Sequence, residues 1–310
     1  MPCAEVVRDM NRRQGDRQMI LLNRRTIDAC AKFKQSRSEA DFRRLITTRG
    51  AKMAHAHHVW ASPLSAKPIG EFWSGELDQV EWDSQTAASI ERVVRYLKAR
   101  RRQWLEATLK YLPEGHVFDT TIYLIGGYDS IVYLEDVALN LTFRKYLDDP
   151  REAVYYLIHE LSHAGYFRYR PMPDLGRVKT TRDLLRTVKL LTHLEGMGVA
   201  SPFPERLKEG GLEDDDYRVL LNESKRRARV RQYFELLSRL ENGPNRLLCQ
   251  EDPQLGDFSE KPGRLWYVAG GHMALRIEEC CGIRMLQDTV KSGPKKFFET
   301  YVRLEDPLSL

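Results

Sequence analysis

Apolar and polar positions along the chain change period twice, and the changes divide it into three parts. Residues 1 to about 50 place apolar side chains at helical spacing and read as two or three amphipathic helices, with Ser38-Glu-Ala-Asp41 as a helix start and Gly50 as a stop. Pro63, Pro68 and Gly70 mark a loop, and Asp83-Ser-Gln-Thr opens a long helix that runs to about Tyr111. Between 120 and 144 the pattern turns β-rich: Thr120–Ile125, Ile131–Leu134 and Val137–Phe143, with Gly126-Gly-Tyr-Asp-Ser130 as a turn. Two or three antiparallel strands are expected there, the last running almost directly into the next helix and exposing an edge that an extended peptide could join. From Asp149 onward the spacing is helical again, broken by a loop at Arg168–Arg177 and a polar connector at Gln250–Gly263. The fold class that follows is α+β, mostly helical, with a small antiparallel sheet. Its expected parts are an N-terminal helical layer over 1–115, a core with the sheet over 116–205 and a helical C-terminal part over 206–310.

One stretch states a chemistry. Asp149-Pro-Arg-Glu152 has the form of an N-cap, a proline at the first helical position and a capping-box glutamate. The apolar run Ala153–Ile158 then leads into His159-Glu-Leu-Ser-His163. On a helix, residues four apart share a face, so His159 and His163 can aim at one divalent metal. Glu160, about 100° round the helix, is placed to act as a general base on the water that such a metal activates.

A third ligand is expected from the helix that Thr180 or Thr181 caps and that runs to Ala200. Leu184, Val188, Leu191, Glu195 and Val199 fall on one stripe, so a carboxylate sits in the middle of an apolar face. Burying an ionised carboxylate is costly unless a cation, hydrogen bonds or a metal receives it, which favours Glu195 as the ligand. The competing His193 lies about 200° round the helix, towards the polar face with Arg186 and Lys189. Two histidines and a carboxylate leave a position open for water, the arrangement of a catalytic zinc with one ion. For a second group to hold the oxyanion the sequence offers Tyr267 or His272, on the helix Leu265–Cys281 beside Gly270 and Gly271.

Composition narrows the setting without changing the chemistry. The chain has 310 residues, 42% hydrophobic and 30% charged, with no apolar run of membrane-spanning length and no signal-peptide core at its N-terminus, so a cytoplasmic location is expected. Five cysteines without a C-x-x-C spacing read as free thiols. The formal charge of +5 is concentrated in residues 1 to 58, which carry +7. Solvated helix faces account for that charge more readily than a nucleic-acid surface. His55, His57 and His58 offer no i, i+4 pair and read as solvated or core histidines.

His159-Glu-Leu-Ser-His163 followed by Leu194-Glu195-Gly196-Met197 resembles the gluzincin metallopeptidases, the thermolysin-like and zinc-aminopeptidase group. The strand-helix-helix arrangement also resembles uncharacterised predicted zinc-dependent proteases of bacteria and archaea. The resemblance implies a zincin-like fold, one Zn2+ held by His159, His163 and Glu195, Glu160 as base, and a peptide or protein substrate. It covers about residues 120 to 201 and departs from the pattern in three ways. Leu194 replaces the Asn of the aminopeptidases, 31 residues separate His163 from Glu195, and no Gly-x-Met-Glu-Asn element stands ready for a free substrate amine. A metzincin is excluded, since Tyr166 and Tyr169 occupy its Gly and third His positions. The rival readings are a non-proteolytic zinc amidohydrolase and a basic nucleic-acid-associated protein with a structural metal.

Overall fold

In the computed structural model, which describes residues 19–62, 65–212, 214–260 and 263–305, the strands expected between 120 and 144 are joined by one from the start of the chain. The part of the N-terminal helical reading that covers 1–18 lies outside the described residues, as do Pro63, Glu213 and positions 261–262 of the connector. The chain packs as two compact units, Met1–Leu105 with Gly115–Gly165 and Glu106–Glu114 with Tyr166–Leu310. Among the described residues no helix is long and apolar enough to cross a membrane.

The first unit begins with β1 (Met19–Asn23), followed by α1 (Arg25–Ser36), α2 (Glu39–Thr47), α3 (Arg49–Ala61), α4 (Ile69–Asp78), α5 (Ser84–Ala99) and the start of α6 (Arg101–Leu109), so the long helix expected to run to about Tyr111 is two helices broken at Arg100. Then come β2 (Asp119–Ile125), β3 (Ile131–Tyr133), β4 (Asp136–Asn140), α7 (Arg144–Asp148) and α8 (Pro150–Phe167). Side-chain caps set the helix starts: Ser38 accepts from the Asp41 amide, Thr48 from Ala51 and Asp83 from Thr86. Gly50 does not end a helix as expected; it lies inside α3, where an added Cβ would stand 2.5 Å from Thr26 Oγ1 and 2.9 Å from Tyr123 Cβ. Its role is the close packing of α3 on α1 and the sheet.

The sheet is mixed, not antiparallel, with strand order β1-β2-β4-β3. β1 and β4 both run parallel to β2, and only the β3–β4 hairpin is antiparallel. The expectation failed for a physical reason. Met-Ile-Leu-Leu-Asn is a short apolar run that local periodicity cannot separate from a helix, and its partner in the register, Asp119 to Tyr123, lies far along the chain. The Gly126–Ser130 segment is likewise a connection to the far edge of the sheet, not a hairpin turn. The hairpin is made by Leu134 and Glu135, with Leu134 at φ 59°, a conformation its residue type does not signal. Consequently β4 is paired on both sides, so the expected strand addition has no edge there, and α7 intervenes before α8.

The second unit is helical: α9 (Thr181–Ala200), α10 (Phe203–Glu209), α11 (Asp215–Leu221), α12 (Glu223–Asn242), α13 (Leu255–Ser259), α14 (Leu265–Cys281), α15 (Ile283–Ser292) and α16 (Pro294–Leu304). Thr180 opens α9 with a capping box to Asp183. The core forms where α9 and α14 cross, lined by Leu184, Val188, Leu191, Ala269, Met273 and Ile277. At the crossing the backbones touch. A Cβ on Gly196 would stand 2.5 Å from the Gly270 carbonyl oxygen, and one on Gly270 would stand 2.3 Å from that of Thr192. Only glycine at both positions allows that approach.

Candidate metal centre

The eighteen residues of α8 are enclosed by apolar packing: Ala153, Tyr155, Leu157, Ile158 and Leu161 have no exposed surface. Its start is held by Asp149, whose carboxylate accepts from the Arg151 amide at 3.0 Å and pairs with the Arg151 guanidinium. One turn of helix brings His159 and His163 to the same face, with ring centroids 4.4 Å apart. His163 and Glu160 are buried, and His159 is half-buried.

On α9, Glu195 precedes Gly196 at the glycine crossing and is half-buried. One ligand atom from each of His159, His163 and Glu195 lies within 4.8 Å of the other two, a trio that could hold a metal ion. Ligand atoms round a tetrahedral ion with bonds of about 2.0–2.2 Å stand about 3.4 Å apart, inside the 4.8 Å that bounds this trio. Two imidazoles and one carboxylate suit a borderline divalent metal and leave a coordination position open. Among the described residues no other three His, Cys, Asp or Glu side chains gather in this way.

His193, expected near the polar face, is instead fully buried. Its ring stacks on Phe297 at 4.2 Å, and both nitrogens are engaged, Nδ1 with the Tyr166 hydroxyl at 3.0 Å and Nε2 with Thr289 Oγ1 at 3.1 Å. The Thr289 hydroxyl donates to the Leu286 carbonyl, so it accepts from Nε2–H and leaves Nδ1 to accept from Tyr166. Burial pushes the imidazole pKa down to about 3, so it stays neutral. The apparent polar face is covered by α16, from a part of the chain more than a hundred residues away, which the helical wheel cannot show.

The two candidates for the oxyanion part company on α14. Tyr267 packs against Val199, Tyr217 and Leu220, and its hydroxyl pKa is raised first by burial and then by the negative charge of Glu195. His272, about 140° further round the helix, donates from Nε2 to Glu305 at 3.1 Å. Glu305 is also held by Arg276 and by the Tyr301 hydroxyl. His272 is thereby given a structural partner away from Tyr267.

Three residues near these groups escape sequence reasoning. Tyr146 on α7 is fully buried and shares a hydrogen bond with Ser130; its pKa is raised by burial, with the Glu160 charge among the smaller causes. Arg264 and Asp216 form a bidentate ion pair beside Tyr267, with Nε–O distances of 2.8 Å and an Nη2–O distance of 2.7 Å. Asp216 closes the acidic run Asp214–Asp216, and Arg264 stands between the polar connector and the helix Leu265–Cys281. Nothing local signals that residues 48 apart meet. The cysteines described, Cys30, Cys249, Cys280 and Cys281, are free thiols, and His55, His57 and His58 pack round Phe72 and Tyr128. No protein-family model, no curated protein and no solved structure matches the chain.

Proposed function

We propose that the protein is a zinc-dependent hydrolase of peptide bonds, built on a zincin-like core and acting on peptide or protein substrates in the cytoplasm. The observation that carries this reading is the convergence of His159, His163 and Glu195, two imidazoles from one helix turn and a carboxylate from another helix. A zinc ion held by these three would supply Lewis-acid polarisation of the scissile carbonyl and acidify a water at its open position. Glu160, buried and next to His159 on α8, accepts the proton of the attacking water and passes it to the leaving amine. Tyr267 donates a hydrogen bond to the oxyanion as it develops. His272 has no part in this assignment, because its Nε2 is given to Glu305.

Metal analysis and peptide hydrolysis test the reading together. Wild type is expected to hold one zinc per chain, Glu195→Ala to lose it and His193→Ala to keep it. Glu160→Gln should keep the zinc and lose roughly 10²–10⁴-fold in hydrolysis. Zinc that survives Glu195→Ala and vanishes with His193→Ala would sink the ligand assignment. Cleavage of small amides with no cleavage of any peptide library would move the substrate class to amides on the same residues.

A further inference from the structure

Arg264 is a non-glycine residue in the left-handed region, at φ 42° and ψ 46°, immediately before α14. Such a conformation costs about 1 kcal/mol or more for an L side chain and persists only where surrounding contacts fix it. Gly263, the residue before it, would adopt it at no steric cost, yet the turn is taken at the arginine. What fixes Arg264 is its side chain. The guanidinium edge is bidentate to Asp216, a carboxylate only 5% exposed, and its flat face lies 3.7 Å from the centroid of the Tyr267 ring. Asp216 is itself anchored, since the neighbouring Tyr217 donates its hydroxyl to the Val199 carbonyl of α9 at 3.1 Å. Val199 lies one turn beyond Glu195. The chain of contacts therefore runs from α9 through α11 and Arg264 to the ring of Tyr267.

We propose that Arg264 is a positioning residue: clamped by Asp216 and laid over Tyr267, it fixes the direction of the phenol on α14, the helix whose Gly270 abuts Gly196, the residue after Glu195. The proposal rests on the hydrolase reading for its catalytic consequence. The planar guanidinium suits the task, because one group offers a fork to the carboxylate and a face to the ring. A lysine at 264 keeps a charge for Asp216 and loses both the fork and the face. The Asp216 carboxylate also offsets the charge of the guanidinium, so the clamp adds little net charge at the start of α14.

The test uses the full chain loaded with zinc and labelled with fluorotyrosine. The fluorine resonance of Tyr267 is identified among the fourteen tyrosines by its disappearance in Tyr267→Phe. Arg264→Lys, and the double variant Arg264→Gly with Asp216→Asn, which leaves no buried charge unpaired, should each keep one zinc per chain. In both, the Tyr267 resonance should shift and change width, and kcat should fall about 10–100-fold with KM altered less than about threefold. Adding Tyr267→Phe to Arg264→Lys should cost nothing beyond Tyr267→Phe alone, because the arginine acts through the tyrosine. An unmoved resonance in both variants overturns the proposal, and so does a kcat loss that multiplies with that of Tyr267→Phe. A wild type that neither retains zinc nor cleaves any substrate removes the hydrolase reading instead, while the resonance still decides whether Arg264 holds the ring.

Discussion

Replacing Gly196 by alanine is the sharpest perturbation of the candidate site that touches none of its proposed ligands. The new Cβ would stand 2.5, 2.6 and 2.8 Å from the carbonyl oxygen, carbonyl carbon and Cα of Gly270. All three atoms are backbone, so no side chain can turn away, and α9 and α14 must separate by about 1 Å to restore ordinary contact at about 3.4 Å or more. Overpacking of this kind costs typically 1–3 kcal/mol, here at the upper end, and the better helix propensity of alanine returns about 1 kcal/mol. A net loss of about 2 kcal/mol lowers Tm by roughly 4–8 °C. Gly75, inside α4, has nothing within 4 Å of the same added atom, so Gly75→Ala receives the propensity gain alone and should be neutral or slightly stabilising. Thermal unfolding followed by circular dichroism compares the two. Because Glu195 adjoins Gly196, a 1 Å displacement should also cut the proposed hydrolysis by up to about 100-fold. If Gly196→Ala unfolds at the wild-type temperature with wild-type activity, the tight crossing does not position the carboxylate and the reasoning fails.

Two further outcomes follow from the same structure. Burial pushes the His57 pKa down to about 4, below its unfolded value of about 6.5, so the unfolded chain binds the extra proton. The stability linked to this group is complete above about pH 6.5 and is lost as pH falls towards 4, by at most about 1.4 kcal/mol per pH unit. Denaturant unfolding of wild type and His57→Gln across that range should give curves that converge at low pH; parallel curves would show that His57 titrates normally in the folded protein. His272→Gln should leave hydrolysis within about threefold and cost roughly 1–2 kcal/mol of stability through the lost bond to Glu305. A hundredfold loss of kcat in a stable His272→Gln would restore the histidine to the chemistry.

Legibility in the sequence followed the range of the interactions. The start of α8, the Thr180 cap of α9 and the shared face of His159 and His163 all depend on residues a few positions apart, and those elements are found where local rules put them. Glu195 stood out because a carboxylate on an apolar stripe needs a partner wherever it points. The same wheel misplaced His193, because the side of α9 that looks polar is covered by Phe297 and Thr289. The sheet was misread in direction because β1 pairs with β2 across about a hundred residues, and strand direction is a property of the pair, not of either strand.

By itself, then, the sequence determined the starts of α2, α5, α8 and α9 and the residue types that can offer a metal two imidazoles and a carboxylate, because those depend on backbone geometry and on the cost of burying charge. Tertiary structure alone decided which groups meet. The contact of Gly196 with Gly270, the clamp of Arg264 on Asp216 and Tyr267, and the engagement of His272 by Glu305 all join residues far apart in the chain. Such contacts depend on how helices pack through their side chains, and a one-dimensional pattern records a buried face without recording what covers it.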